Sequence, residues 1–389
     1  MHSDSLVFSV FLIFAGAAVL ASMALSTRQP LIVAYVLLGM ILGPFGMDLV
    51  ADSKILESIG RIGIMFLLFL LGLDLHPRNF LTLLSRTTLV TVVSALLLGV
   101  TGFLVTRASG FTSTEALVIA VAIGFSSTII GIKLLPTTVL HHKHVGELLV
   151  SILLVQDILA IIVLIVISGR GGEGTDLLSF LRLLLALPAI LAASFAGVKW
   201  ILLPLIQRFD RFQEYIFLMA IGWCLSIAVL SESLGLSMEI GAFIAGISLA
   251  NSPIAQWIAT NLKPLRDFFL ILFFFTVGAN INLGLMPEVF LPALLLTAVV
   301  IVAKPAIYRY LLVMATEQSE SSWEVGWRLG QISEFSLLIS YLALQTGLIG
   351  EAAATLLQTS AVMTFVISTY IVVLRYPSPI AISDRLRRD

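Results

Sequence analysis

An all-α polytopic membrane protein of about thirteen transmembrane helices, built as two inverted repeats around a linking helix, is the fold class the sequence predicts. Three observations predict it. Hydrophobic residues make up 59% of the 389 and charged residues 12%, about half the charge of an ordinary soluble domain. The apolar residues fall in blocks of about 20, the length that crosses a bilayer as a helix. Two of these blocks are interrupted by polar residues at matching places in the two halves of the chain. The single cysteine, Cys224, excludes an internal disulfide framework, and a net charge of -1 gives no electrostatic case for nucleic acid.

The first block, 6–25, follows a segment without Lys or Arg. It therefore lacks the basic region of a signal peptide and reads as a first span. Cutting the rest at Pro, Gly and charge clusters predicts spans over 30–43, 55–73, 87–106, 115–137, 145–168, 181–205, 213–231, 236–250, 261–279, 288–313, 323–347 and 351–375. With thirteen spans, fifteen Lys and Arg fall opposite the N-terminus, Arg28, Lys133, Arg208, Arg211 and Arg328 among them. Only Lys54, Arg61, Arg107, Arg170 and Arg182 fall on its own side. By the positive-inside rule the N-terminus is outside and the C-terminus cytoplasmic.

The halves echo one another. Ala34-Tyr35 through Gly39 resembles Ala242-Phe243 through Gly246, and the Phe66–Phe69 run with Gly72 resembles Phe273–Phe275 with Gly278. At that offset of about 206 residues, Ser126-Ser127 lands on Ile332-Ser333. The predicted organisation is a first repeat over 1–180, a linking helix within 181–210, a second repeat over 211–376 and a basic cytoplasmic tail over 377–389. An odd number of spans turns the second repeat upside down, the build of many secondary transporters with midplane sites. The spans over 115–137 and 323–347 are expected to be broken helices that cross.

Ionisable groups at membrane depth are expensive and mark function. Asp157, Lys304 and Glu334 each lie near the centre of a predicted span, and Ser126-Ser127-Thr128 interrupts another. A buried carboxylate holds either a proton or a cation, so Asp157 is the candidate ion- and proton-binding group. Hard monovalent cations prefer oxygen ligands. Ser126, Ser127 and Thr128 offer hydroxyls and freed carbonyls where the helix breaks, and Gln156 offers an amide oxygen. Lys304 either offsets buried negative charge, pairing with Asp157, or competes with the cation. Glu334 either shares that charge balance or caps the broken helix near it.

These residues carry a family resemblance. Val155-Gln156-Asp157-Ile158 resembles the Gln-Asp motif of Kef-type potassium efflux systems, within the wider monovalent cation:proton antiporter family. Gly330–Ser336 is similar to that family's Gly-Glu-Phe-Ala-Phe segment, Ile240–Gly246 to its Leu-Gly-Ala-Phe-Leu-Ala-Gly helix, and Phe273–Asn280 to its Phe-Phe-x-x-x-Gly stretch. The resemblance implies a homodimer in the cell inner membrane, in contact with lipid, and an elevator-like motion of a six-helix core against a dimerisation domain. Kef-type systems usually carry a cytosolic nucleotide-binding regulatory domain after the membrane part. This chain stops at Asp389, so that domain is expected to be either removed or never present. Many sodium exchangers have two adjacent acids where this chain has Gln156-Asp157, and one acid favours electroneutral 1:1 exchange, by resemblance of potassium.

The predicted function is thus a secondary active antiporter exchanging a monovalent cation, potassium ahead of sodium, for protons. A channel through the same polar residues is the second reading. With no H-E-x-x-H, no G-x-S-x-G and no paired catalytic carboxylates, neither an enzyme nor a bound cofactor is expected. Gly169–Gly174 fits G-x-G-x-x-G but follows a span rather than a strand, so it reads as a loop. His141, His142 and His144 read as a solvated turn.

Overall fold

The computed structural model describes residues 6–50, 62–73 apart from 67 and 71, 77–135, 144–170, 177–209, 211–234, 236 and 238–378. The first part of the predicted span 55–73, His141 and His142, the loop from Gly171 and the basic tail from 379 lie outside the described residues.

Helices account for every element among them. The helices are α1 Leu6–Ser26, α2 Leu31–Leu42, α3 Pro77–Ala108, α4 Ser113–Ile123, α5 Thr128–Lys133, α6 His144–Arg170, α7 Leu177–Gly197, α8 Leu203–Arg208, α9 Gln213–Ser233, α10 Met238–Ala250, α11 Ala255–Ala279, α12 Met286–Met314, α13 Ser319–Arg328, α14 Glu334–Gln345 and α15 Glu351–Arg375. Residues 62–66, 68–70 and 72–73 are helical as well. Among the described residues seven helices are long and apolar enough to cross a membrane, and α2, α4, α14 and Ile240–Ala250 are shorter apolar helices. The apolar outer surface agrees: Phe11, Trp200, Leu291 and Val302 are each more than half exposed. In a bilayer such side chains meet lipid, and an unbroken helical backbone satisfies its own polar groups. The protein is a polytopic helical membrane protein.

Local chemistry explains the irregularities. Between α7 and α8 the chain makes a π-helical turn over Val198–Leu202. Pro204, early in α8, has no N–H for the carbonyl one turn back, and a π-turn absorbs that gap. The predicted span 115–137 is two helices, α4 and α5, and the predicted span 323–347 is likewise α13 and α14. The helix breaks expected at Ser126–Thr128 and Ile332-Ser333 are therefore present.

The chain divides into two compact units, one of residues 1–51, 83–164 and 277–389, the other of 52–82 and 165–276. Each draws on both halves of the sequence. Within each unit a glycine allows two backbones to touch. A Cβ on Gly72 would lie 2.5 Å from the Phe243 carbonyl oxygen, and one on Gly278 would lie 2.0 Å from that of Val36. Gly72 and Gly278 are 206 residues apart, and Val36 and Phe243 are 207 apart. One contact is therefore repeated, with the halves exchanging partners. All the candidate site residues lie in the first unit.

Candidate ion-binding site

The site begins with α4. Thr112 caps it with a reciprocal box: Glu115 N–H donates to Thr112 Oγ1 at 3.3 Å and Thr112 N–H donates to Glu115 Oε2 at 2.9 Å. The helix ends at Gly124, and the chain runs non-helically to Ser127 before α5 starts. Ser127 Oγ accepts from Ile130 N–H at 3.1 Å and caps α5. The second break is built the same way. The helix α13 ends at Arg328, the chain is irregular through Ser333, and Ser333 Oγ accepts from Phe335 N–H at 3.1 Å at the start of α14.

Freed backbone groups in hydrocarbon need partners, and each break finds them on its neighbours. Ser126 N–H donates to Gln156 Oε1 of α6 at 2.9 Å, and Ile332 N–H donates to Thr364 Oγ1 of α15 at 3.0 Å. Those two N–H groups are again 206 residues apart. The breaks also bind each other: Ser126 Oγ donates to the Leu329 carbonyl at 2.9 Å, Gln331 Nε2 to the Ser127 carbonyl at 3.3 Å, and Ser336 Oγ to the Ala122 carbonyl at 2.6 Å.

Lys304 of α12 stands where they meet. It is fully buried, and its ammonium donates to the carbonyls of Ile123 at 3.2 Å, Phe125 at 2.5 Å and Gln331 at 2.8 Å. Three bonds use all three of its donors. Among the described residues no ion pair joins Lys304 to Asp157. The charge of Lys304 is thus taken up by carbonyl dipoles of both breaks.

Asp157 projects from the middle of α6 and is 2% exposed. Its hydrogen-bond partner is Thr128, whose hydroxyl lies 3.1 Å from Oδ1 and 3.3 Å from Oδ2. Thr128 is the first residue of α5. Glu334, its counterpart at the offset of 206, is the first residue of α14, buried and within electrostatic reach of Asp157. The cap of α14 is Ser333, while Glu334 sits in the first turn, where the helix N-terminus favours a carboxylate.

Every site residue expected from the sequence is therefore gathered around the two breaks, but their engagements differ. The Ser126 and Ser127 hydroxyls bind backbone, and the Gln156 oxygen accepts the Ser126 N–H. The Thr128 hydroxyl is the one that meets the carboxyl group. Sequence reasoning missed four participants. Tyr308 accepts from Gln156 Nε2 at 2.5 Å, and Ser368 donates to Gln331 Oε1 at 2.9 Å. Thr364 holds the second break. Arg328, read as one more inner-loop cation, is 1% exposed and donates to the carbonyls of Leu134 at 2.9 Å and Pro377 at 2.7 Å while pairing with Glu324. Tyr308 had a legible signal, one helical turn beyond Lys304 on the same face.

Comparison with known proteins agrees with this architecture. The structure of the sodium proton antiporter MjNhaP1 from Methanocaldococcus jannaschii superposes with a TM-score of 0.70 over 93% of this chain and 94% of that one, at 18% identity, a likeness of fold. The iron transporter MagA of Paramagnetospirillum magneticum is 27% identical over 372 residues, covering 95% of this chain and 85% of MagA. The K(+) efflux antiporter 5 of Arabidopsis thaliana is 30% identical over 330 residues, covering 80% of this chain and 56% of its own length, and K(+) efflux antiporter 4 is 30% identical with 80% and 54% covered. The match thus spans little more than half of those plant proteins. The model of the family "Sodium/hydrogen exchanger, transmembrane" matches residues 10–374, and the chain belongs to that family.

Proposed function

We propose that the protein is a secondary active antiporter that exchanges a monovalent cation, potassium, for protons. One observation carries the reading: the Asp157 carboxyl is buried in mid-helix beside a helix break, with Thr128 as its hydrogen-bond partner and no cation paired to it among the described residues. A charge so placed is balanced by a proton or by a metal ion, one at a time. That alternation is what exchange requires. Family membership supports antiport, and the names of the two plant relatives support potassium.

Asp157 and Thr128 supply the oxygens nearest the ion in this reading. Lys304 and Glu334 balance charge in the core, and Ser126, Ser127 and Gln156 hold the break that presents Thr128. The cycle is electroneutral, because a single carboxyl carries either one proton or one monovalent cation while Lys304 keeps its three bonds. Alternating access is of the elevator type, in a homodimer in the cell inner membrane, with the N-terminus outside and the C-terminus cytoplasmic.

The test is flux in proteoliposomes with an imposed proton gradient, comparing potassium, sodium, lithium and rubidium. Saturable proton movement driven by potassium supports the proposal. Sodium-driven movement alone transfers the reading to sodium, and currents of channel size without coupled protons refute antiport.

A further inference from the structure

We propose that Tyr308 is the positioning residue of the ion site and acts through Gln156. This rests on the reading of Asp157 as the group that takes the cation or the proton. Tyr308 is fully buried on α12, its ring set in an apolar cluster with Val90, Leu149, Ile152, Leu312 and Leu329. Phenylalanine would fill that space as well, and a buried hydroxyl costs free energy unless it is bonded. The bond of the hydroxyl is therefore what a tyrosine adds there.

That bond is made with Gln156, whose Nε2 donates to the Tyr308 hydroxyl at 2.5 Å. The remaining valences of the Gln156 amide go to the first break: Nε2 also donates to the Gly124 carbonyl at 3.3 Å, and Oε1 accepts from Ser126 N–H at 2.9 Å. One side-chain amide thus replaces, on both sides of Phe125, helical bonds that the break removed.

Removing the Tyr308 hydroxyl leaves one amide hydrogen without a partner in an apolar setting. The amide then turns to find one, and its 3.3 Å bond to Gly124 is the weaker to hold it. Thr128 begins two residues after Ser126, so a loosened break displaces the hydroxyl that meets Asp157. Binding geometry tolerates displacements of about 0.5 Å. Lys304 and Tyr308 lie four residues apart on one face of α12, one fixing carbonyls of both breaks and the other fixing Gln156. Through them α12 shapes the site without lending it a ligand.

The test uses the full chain in proteoliposomes as Tyr308→Phe, Gln156→Met and the double variant, with potassium dependence measured across pH and deuterium uptake followed at 124–128. Tyr308→Phe is expected to raise the half-saturating potassium about tenfold, the equivalent of one interior hydrogen bond, with the maximal rate kept. Protons then win the carboxyl at higher pH, so the acid limb of the rate profile moves alkaline. Uptake at 124–128 rises in both single variants, and the double variant is no worse than Gln156→Met alone. Unchanged half-saturation and uptake in Tyr308→Phe, or additive effects in the double variant, overturn the proposal. If the parent protein exchanges no cation, the functional reading fails, and deuterium uptake alone then decides whether Tyr308 positions the break.

Discussion

Ser127 and Ser333, 206 residues apart, each cap the half-helix that resumes after a break, with Oγ accepting a backbone N–H at 3.1 Å in both cases. The equivalence extends outward from the pair. Phe125 and Gln331, two residues before each serine, both offer their carbonyls to Lys304. The two breaks are one device used twice, and one lysine closes it.

Ser127→Ala and Ser333→Ala should therefore cost similar amounts, about 1 kcal/mol each for a lost cap. Thermal unfolding in detergent checks this. A several-fold inequality would show that the two breaks carry unequal weight.

Asp157→Asn keeps the size of the side chain and removes its charge. Exchange is expected to vanish while the variant stays folded and elutes as the parent does. Potassium-driven proton movement that persisted in this variant would remove Asp157 from the mechanism.

Lys304→Met leaves three buried carbonyls, those of Ile123, Phe125 and Gln331, without their donor. Each unmade bond costs about 1–3 kcal/mol, so the folded yield and the unfolding temperature should fall sharply. A variant as stable as the parent would show that the breaks hold without their shared cation.

Voltage offers a separate check on Lys304. If its ammonium keeps three bonds throughout the cycle, only Asp157 exchanges charge and the transported core is equally charged in both directions. The balance point of opposed potassium and proton gradients should then ignore membrane potential, which otherwise contributes about 2.3 kcal/mol per charge per 100 mV. Clamped proteoliposomes measure it, and a balance point that shifts with voltage contradicts 1:1 exchange.

Gly278→Ala would place a methyl carbon 2.0 Å from the Val36 carbonyl, closer than contact permits. The backbones of α2 and α11 must separate, and a loss of monodisperse protein on size exclusion is the expected result. Gly222, with nothing within 4 Å of its Cβ position, is the control that should accept alanine.

The sequence alone determined the membrane fold, most of the helix limits, both helix breaks and the candidate carboxyl Asp157. These were legible because the signals are local: a bilayer imposes its thickness on every apolar block, and a buried charge or a run of serines stands out inside one. The offset of 206 was visible for the same reason, since Gly72 and Gly278 answer one packing demand in two places. What the tertiary structure decided was who binds whom. Lys304 could be read as a partner of Asp157, and it binds carbonyls 27 and about 180 residues away instead. The Ser126 hydroxyl and the Gln156 oxygen looked like ion ligands, and both are engaged by backbone. Arg328 looked like a loop charge and is buried, because Leu134 and Pro377 bring their carbonyls to it. A side chain's choice among acceptors depends on which arrive within 3 Å of it, and only the folded chain sets that distance.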